Sequence, residues 1–320
     1  MAAELHLPPP GSRRHLPVMC RETLVALNPR PGAVLVDGTL GVGGHAQAWL
    51  EQTGPNGRVV GLDRDEVALD AARQTLERFG TRATIVHADY REASAVLDSL
   101  GLSTVDAALL DLGLGSHQLD DPQRGFSFRF EGPLDMRFDR SRPGTTAADL
   151  IAHSPEPELA RILADFGEER MARKIARQIV ETRRHTPLRT TSQLAELVRR
   201  VVPSGRHDRI DPATRTFQAL RIAVNHELDE LNAAIESLAS RLARGGRIAV
   251  IAFHSLEDRI SKTTLRRLAE PCRCRRGDPC TCGALQWLDL PSRRAIFCSD
   301  AEANENPRAR SAKLRWGIKR

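Results

Sequence analysis

A chain of 320 residues is long enough for one large domain or two ordinary ones. Its 41% hydrophobic and 28% charged residues describe a soluble globular protein with an adequate core, and no apolar run approaches the ~20 residues that cross a bilayer. Net charge +6 leaves two readings open, a polyanionic partner contacted through arginines or a solvated basic surface.

Met1 to Pro10 carry no apolar h-region, so a cytoplasmic protein is expected, and residues 1–15, proline-rich and polar, read as a flexible arm. Pro17 to Leu27 has apolar residues at helical spacing and stops at Asn28-Pro29-Arg30-Pro31-Gly32. Ala33-Val34-Leu35-Val36 then reads as a buried strand. It runs into Asp37-Gly38-Thr39-Leu40-Gly41-Val42-Gly43-Gly44-His45 and a helix over 45–52.

A strand, a glycine turn and a helix in that order open a nucleotide-binding α/β unit, because glycine lets the chain turn sharply and bring backbone N–H groups close to a ligand. The next strand, 58–62, ends in Asp63, at the spacing where an acid accepts ribose hydroxyls. Gly41-x-Gly43-x-x-Ala46 by itself also fits a tight turn with no ligand. Asp37 tilts the choice: a carboxylate there repels a pyrophosphate but suits the cationic amino-acid end of S-adenosylmethionine, which favours a methyltransferase over a dehydrogenase.

A helix over 65–79 and a strand over 83–87 lead to Ala88-Asp89-Tyr90. A helix over 92–100 and a strand over 105–110 lead to Asp111-Leu112-Gly113. Four successive strands thus end in Asp37, Asp63, Asp89 or Tyr90, and Asp111, and ligands of open α/β sheets sit beyond those carboxyl ends.

The alternation breaks at Asp120 to Arg142, where Phe126, Phe128 and Phe130 alternate with arginines; this is either a loop over the cleft that stacks on nucleobases, or a β-ribbon burying its phenylalanine face. From Thr146 to Val201 the pattern is helical, with segments near 156–166, 168–184 and 191–201, a cap at Thr191 or Ser192, and Arg170, Arg173, Arg177, Arg183 and Arg184 at exposed positions. After a polar loop over 203–215 comes a long helical stretch, 217–243. A fifth strand over 247–253 ends in His254-Ser255-Leu256-Glu257-Asp258-Arg259. The expected organisation is a discontinuous α/β domain, 1–120 and 212–320, around an inserted all-helical substrate-recognition domain, 121–211.

Cys272-x-Cys274 and Cys280-x-Cys282 could hold a structural zinc tetrahedrally, form an unliganded loop, or pair oxidatively; Cys20 and Cys298 look solitary. The basic tail, 306–316, alternates after Ser311 as a closing edge strand would, with phosphate binding and plain solubility both open.

The ordered set Asp37-Gly-Thr-x-Gly-x-Gly-Gly-His45, Leu62-Asp63-Arg64-Asp65, Leu110-Asp111-Leu112-Gly113 with Gln118-Leu119-Asp120, Arg124-Gly-Phe-Ser-Phe128, Gly132-Pro-Leu-Asp-Met-Arg137, Gly167-Glu-Glu-Arg170, Pro212-Ala-Thr-Arg-Thr-Phe-Gln218, Phe253-His-Ser-Leu-Glu-Asp-Arg259 and Asn306-Pro-Arg-Ala-Arg-Ser311 resembles the bacterial small-subunit rRNA cytosine-N4 methyltransferase family (RsmH, also called MraW), from about His15 to the C-terminus. The resemblance implies a class I S-adenosylmethionine-dependent methyltransferase, a Rossmann-like sheet with an inserted helical domain. It also implies a target cytidine in the decoding centre of 16S rRNA, met in the 30S subunit or a late assembly intermediate.

By position, cofactor contacts fall on Gly43, Gly44, His45, Asp63, Tyr90, Asp111 and Gln118, beside Asp37 and Gly41 from the turn itself. Tyr90 stands where many relatives have phenylalanine, and the family's Ser-Ser-Pro-Gln is here Gly115-Ser116-His117-Gln118, which keeps Gln118 in register and weakens any role for Ser116 or His117. Asp111 is the first candidate to polarise the cytosine amino group and His254 the second, each with a non-catalytic alternative as cofactor contact or structural residue. No metal is needed for the chemistry. No membrane partner is expected, and self-association as a homodimer stays open. The competing functions are another RNA or a DNA amino-methyltransferase, although no Asn-Pro-Pro-Tyr-type tetrapeptide follows strand four, and a non-catalytic ribosome assembly factor.

Overall fold

The computed structural model describes residues 17–203, 211–272, 274 and 281–320. In chain order, α1 (Cys20–Leu27), β1 (Val34–Asp37), α2 (Gly44–Gln52), β2 (Arg58–Asp63), α3 (Glu66–Leu76), β3 (Ala83–His87), α4 (Ala93–Ser99) and β4 (Val105–Asp111) alternate. Six helices follow: α5 (Ser116–Asp120), α6 (Ala147–His153), α7 (Glu156–Gly167), α8 (Ala172–Arg183), α9 (Thr191–Val201) and α10 (Ala213–Asn225). The chain ends with α11 (Leu231–Arg241), β5 (Leu242–Ala252), α12 (Ser255–Ala269), β6 (Leu288–Asp289), β7 (Ile296–Phe297), α13 (Asp300–Glu305) and β8 (Lys313–Lys319).

It divides into two compact units, 1–113 with 230–320, and 114–229. In the first, the sheet order is β3-β2-β1-β4-β5-β8-β6, with β7 also on β8. Strands β1 to β5 are parallel neighbours, and β8 runs antiparallel to β5. Both faces are covered, which is why these strands read as unbroken apolar runs. Val34, Val36, Val60, Leu62, Ala108, Leu110, Ile248 and Val250 share one buried cluster with Leu97, Ile235 and Leu265 of the helices. Leu35, Val59, Ala107, Leu109, Ala249 and Ile251 point the other way, onto Leu27, Trp49 and Leu69. Each fully buried leucine or valine contributes about 1.5–3 kcal/mol.

Strand β8 is not the closing edge that its alternation suggests: β6 and β7 pair with its far side. Its cations are engaged within the unit, Arg315 on Asp258 at 2.6 Å and Lys319 on the Ala239 carbonyl at 3.1 Å, and Arg247 of β5 lies over the Trp316 ring at 5.2 Å.

The second unit is built around Leu159, Leu163, Ile175, Ile179, Leu194, Val198, Phe217 and Leu220. Its limits are wider than 121–211 because α10 lies against α7 and gives Phe217 and Leu220 to this core. The expected helix over 217–243 is two helices, broken where His226 (φ 53°) and Glu230 (φ 59°) adopt left-handed backbone that ends one and starts the other. The cap of α9 is Thr190, whose Oγ1 accepts the Gln193 N–H while Gln193 Oε1 accepts the Thr190 N–H. Thr191 is buried one residue on, accepting the Gly132 N–H and donating to the Phe130 carbonyl.

The phenylalanine segment is neither a β-ribbon nor a base-stacking loop at Phe126 and Phe128. Phe126 stacks on Phe138 with ring centroids 5.4 Å apart, and Phe128 meets Phe217 edge-on at 4.9 Å, so both belong to the helical core. Buried Arg124 donates to the carbonyls of Arg137 and Phe138, and Asn225 clamps the same segment, accepting the Phe138 N–H at 2.7 Å and donating to the Met136 carbonyl. A Cβ on Gly132 would lie 1.8 Å from the Pro122 carbonyl oxygen, which accounts for that glycine by packing alone. Only Phe130, 58% exposed, stays outside.

Candidate active site

The chain runs from β1 outward to β2 and β3, then returns to place β4 on the opposite side of β1, so a topological switch point lies at the carboxyl ends of β1 and β4. Asp37 and Asp111 end those two strands. The turn between β1 and α2 is held by its own backbone: the Leu40 N–H donates to the Leu62 carbonyl, and the Gly41 N–H donates to Asp63 Oδ2 at 2.7 Å. Gly41 (φ 54°) and Gly43 (φ 87°) supply the left-handed conformations the turn requires, and a Cβ on Gly38 would strike Leu110 Cδ2 at 2.7 Å and Tyr90 Cβ at 2.9 Å. Gly44, the first residue of α2, faces Pro17, which a Cβ would meet at 3.2 Å. Thr39 ties the turn to the neighbouring strand, its hydroxyl accepting the Asp111 N–H at 2.6 Å.

Four titratable side chains converge here. Asp37 is 1% exposed; its Oδ1 accepts the Thr39 N–H at 3.1 Å, and its Oδ2 has no partner. Burial pushes its pKa up to about 7, against the opposing pull of His45 and with help from the negative fields of Asp111 and Asp63. His45 is buried with Nε2 3.4 Å from Asp111 Oδ2, an ion-pair distance. Burial opposes its charge, but the influence of Asp111 and, after it, of Cys20 prevails and raises its pKa to about 10, so the imidazolium is the form at neutral pH. Asp111 keeps Oδ1 buried and without a partner. Asp63 accepts the Gly41 N–H on one oxygen and the Asp65 N–H, at 2.9 Å, on the other, and burial raises its pKa.

The other expected residues sit on further elements of the chain. Tyr90 opens a short 3₁₀ turn after β3, with its Cβ against the glycine turn. The neighbouring Asp89 caps that turn and is gripped by Arg91 at 2.9 and 3.0 Å and by Arg64 at 3.3 Å; despite burial, the Arg91 bonds lower its pKa, which explains its acidity without a ligand. His254 is the N-cap of α12, its Nδ1 accepting the Glu257 N–H and its Nε2 lying 3.1 Å from Glu257 Oε1. Gln118 belongs to the helical unit, where its Oε1 accepts the Gly115 N–H. Cys272, Cys274 and Cys282 lie between α12 and β6; Cys280 is outside the described residues.

Sequence reasoning missed Thr39 and Cys20. The first was visible as a hydroxyl inside the Asp-Gly-Thr turn. The second gave no signal, because nothing local links it to His45.

A parallel α/β sheet with this switch point, a glycine turn bonded to the acid at the end of β2, and an unneutralised carboxylate at the end of β1 define the S-adenosylmethionine-dependent methyltransferase class. The profile of the MraW methylase family matches residues 12–320, and the chain belongs to that family. Among its relatives, proteins from Geobacter sulfurreducens (52% identical over 303 residues, 94% of this chain and 97% of theirs) and Trichlorobacter lovleyi (50% over 303 residues, 94% and 96%) both carry the name Ribosomal RNA small subunit methyltransferase H. A third, from Syntrophotalea carbinolica, is 52% identical over 305 residues, 94% and 96% of the two chains, and bears the same name.

Proposed function

We propose that the protein transfers a methyl group from S-adenosylmethionine to N4 of a decoding-centre cytidine in 16S rRNA, within the small subunit or a late assembly intermediate. The observation that carries this is the cluster at the switch point, where two buried carboxylate oxygens, Asp37 Oδ2 and Asp111 Oδ1, have no partner, in a chain about half identical to relatives named for small-subunit rRNA methylation.

The residues fit the cofactor. Asp37 Oδ2 suits the ammonium of the amino-acid end, an interaction that offsets its desolvation. Each Asp63 oxygen accepts one backbone N–H and has capacity for a second donor, as two ribose hydroxyls require. Tyr90 offers a ring face for adenine, Gly41, where a Cβ would meet nothing nearer than 4.0 Å, leaves the turn open to a ligand, and Gly43 and Gly44 let that turn pack closely on Leu76 and Pro17. Gln118 joins this set by its place in the family motif. When bound, the sulfonium supplies an activated methyl group.

N4 must gain that methyl and release one proton, and its lone pair is delocalised into the ring. Asp111 Oδ1 accepts a hydrogen bond from the amino group, draws the lone pair out of conjugation and takes the released proton. His45, cationic beside Oδ2, orients that carboxylate. His254, whose Nδ1 caps the start of α12 and whose Nε2 lies 3.1 Å from Glu257 Oε1, is the second candidate to hold the base or accept its proton. The target base must be unpaired or flipped out to reach the strand ends. The helical unit is the substrate-recognition element. Its exposed Arg170 and Arg173 suit phosphates, whereas Arg183 is spent on the Ser154 carbonyl at 2.9 Å.

The test is incubation with labelled S-adenosylmethionine and small subunits lacking the modification, followed by digestion of the rRNA. Label in N4-methylcytidine at one position is the expected outcome. Cofactor binding without label in the small subunit would overturn the target and move weight to another RNA, to DNA, or to an assembly role.

A further inference from the structure

The connection from α12 to β6 spans residues 270–287. Its two ends are tied side by side, since the Trp287 N–H donates to the Leu268 carbonyl at 2.9 Å. Among its described residues, Leu285 is 77% exposed and Trp287 39%. Yet three side chains from opposite arms of the connection meet. The sulfurs of Cys272, Cys274 and Cys282 all lie within 4.8 Å of one another, and none of the three is in a disulfide.

We propose that this cluster binds one structural zinc ion through the thiolates of Cys272, Cys274 and Cys282. Zinc–sulfur bonds of about 2.3 Å in a tetrahedron place ligand sulfurs roughly 3.8 Å apart, so the three sulfurs need only a small inward adjustment. An iron–sulfur cluster spreads its thiolates over several irons and holds them farther apart. A disulfide would use two of three mutually adjacent thiols and strand the third, whereas one metal uses all of them. Three thiolates around a divalent ion leave a centre with one net negative charge and a fourth position for another donor.

The experiment is metal analysis of the full chain, expressed with zinc and purified without a chelating tag, combined with mercurial titration of its thiols. About one zinc per chain, released as those thiols react, is expected. The double variant Cys272→Ser/Cys282→Ser loses that zinc while keeping its far-UV circular dichroism, and Cys20→Ser and Cys298→Ser retain it. Cobalt-substituted wild-type protein gives an independent reading that needs no variant, a tetrahedral thiolate spectrum with sulfur-to-metal charge transfer. A folded wild-type chain that retains no zinc, a double variant that keeps it, or a native disulfide among these cysteines found by mass spectrometry would each overturn the proposal.

Discussion

The α/β unit and the helical unit use motif residues for opposite ends. In the α/β unit two strand-end acids keep an oxygen without a partner, Oδ2 of buried Asp37 and the buried Oδ1 of half-buried Asp111. In the helical unit an equally dense motif, Arg124 to Arg137, spends its polar groups internally: Arg124 on two carbonyls, Asp135 on Arg137 at 2.8 and 2.9 Å, and two phenylalanines on the core. A buried polar group left unsatisfied costs free energy that a ligand can repay, and a satisfied one is architecture. Motif density alone does not separate the two.

The largest effect that would sharpen this contrast is on catalysis. Asp111→Asn keeps the shape of the side chain and the Thr39 contact of its backbone but removes the charge opposite His45. The methylation rate falls by roughly 10²–10⁴-fold in a chain that still folds, as circular dichroism checks. A rate equal to wild type would break the assignment of Asp111 to the chemistry.

Next comes stability in the helical unit. Phe126→Ala removes a ring stacked at 5.4 Å on Phe138 and costs about 3–5 kcal/mol in denaturant titration. If Phe126 instead served RNA, stability would hold and subunit binding would weaken.

The pH dependence follows from the raised pKa values. Asp37, lifted to about 7 with burial as the largest cause, is protonated in the free protein below that value, and a cationic ligand requires the carboxylate. Cofactor affinity therefore rises with pH up to about 7, by about tenfold per unit where one proton must leave, and then levels off; calorimetric titration across that range checks it, with Asp37→Asn weak and flat. The unliganded protein moves the other way. A folded pKa raised above the unfolded value means that stability from Asp37 is present below about 4 and is lost as pH rises through 7. The stability tied to His45, raised to about 10 against burial by Asp111 and Cys20, is complete below its unfolded value near 6.5 and is lost as pH climbs through 10; urea titrations from pH 6 to 10.5 should lose that slope in His45→Gln.

The smallest effect expected is at the arginines of the helical unit. Arg170→Ala with Arg173→Ala lowers subunit affinity several-fold, on the order of 1 kcal/mol, flattens its salt dependence, and leaves cofactor binding unchanged. Equal losses for Arg183→Ala without a loss of stability would contradict its role on the Ser154 carbonyl.

Much of the α/β unit was legible in residue order because its causes are local or periodic. Strands covered on both faces read as continuous apolar runs, the turn needs left-handed glycines at Gly41 and Gly43, and the acids stand at strand ends. The break at His226 to Glu230 was not legible, since no glycine or proline marks it and left-handed backbone at ordinary residues is tolerated only when packing on both sides compensates. Asp89 and Asp37 look alike in sequence as strand-end acids, and only the arginines gathered around Asp89 tell them apart.

The sequence by itself determined the fold class, the strand–turn–helix that opens it and the acids that line its strand ends, since burial periodicity and backbone sterics act over a few residues. Only the tertiary structure decided that His45 stands between Cys20 and Asp111, that Phe126 and Phe128 face a core, and that cysteines from both arms of one loop share a point. Those facts depend on strand order and helix packing, which bring together residues that no local spacing connects.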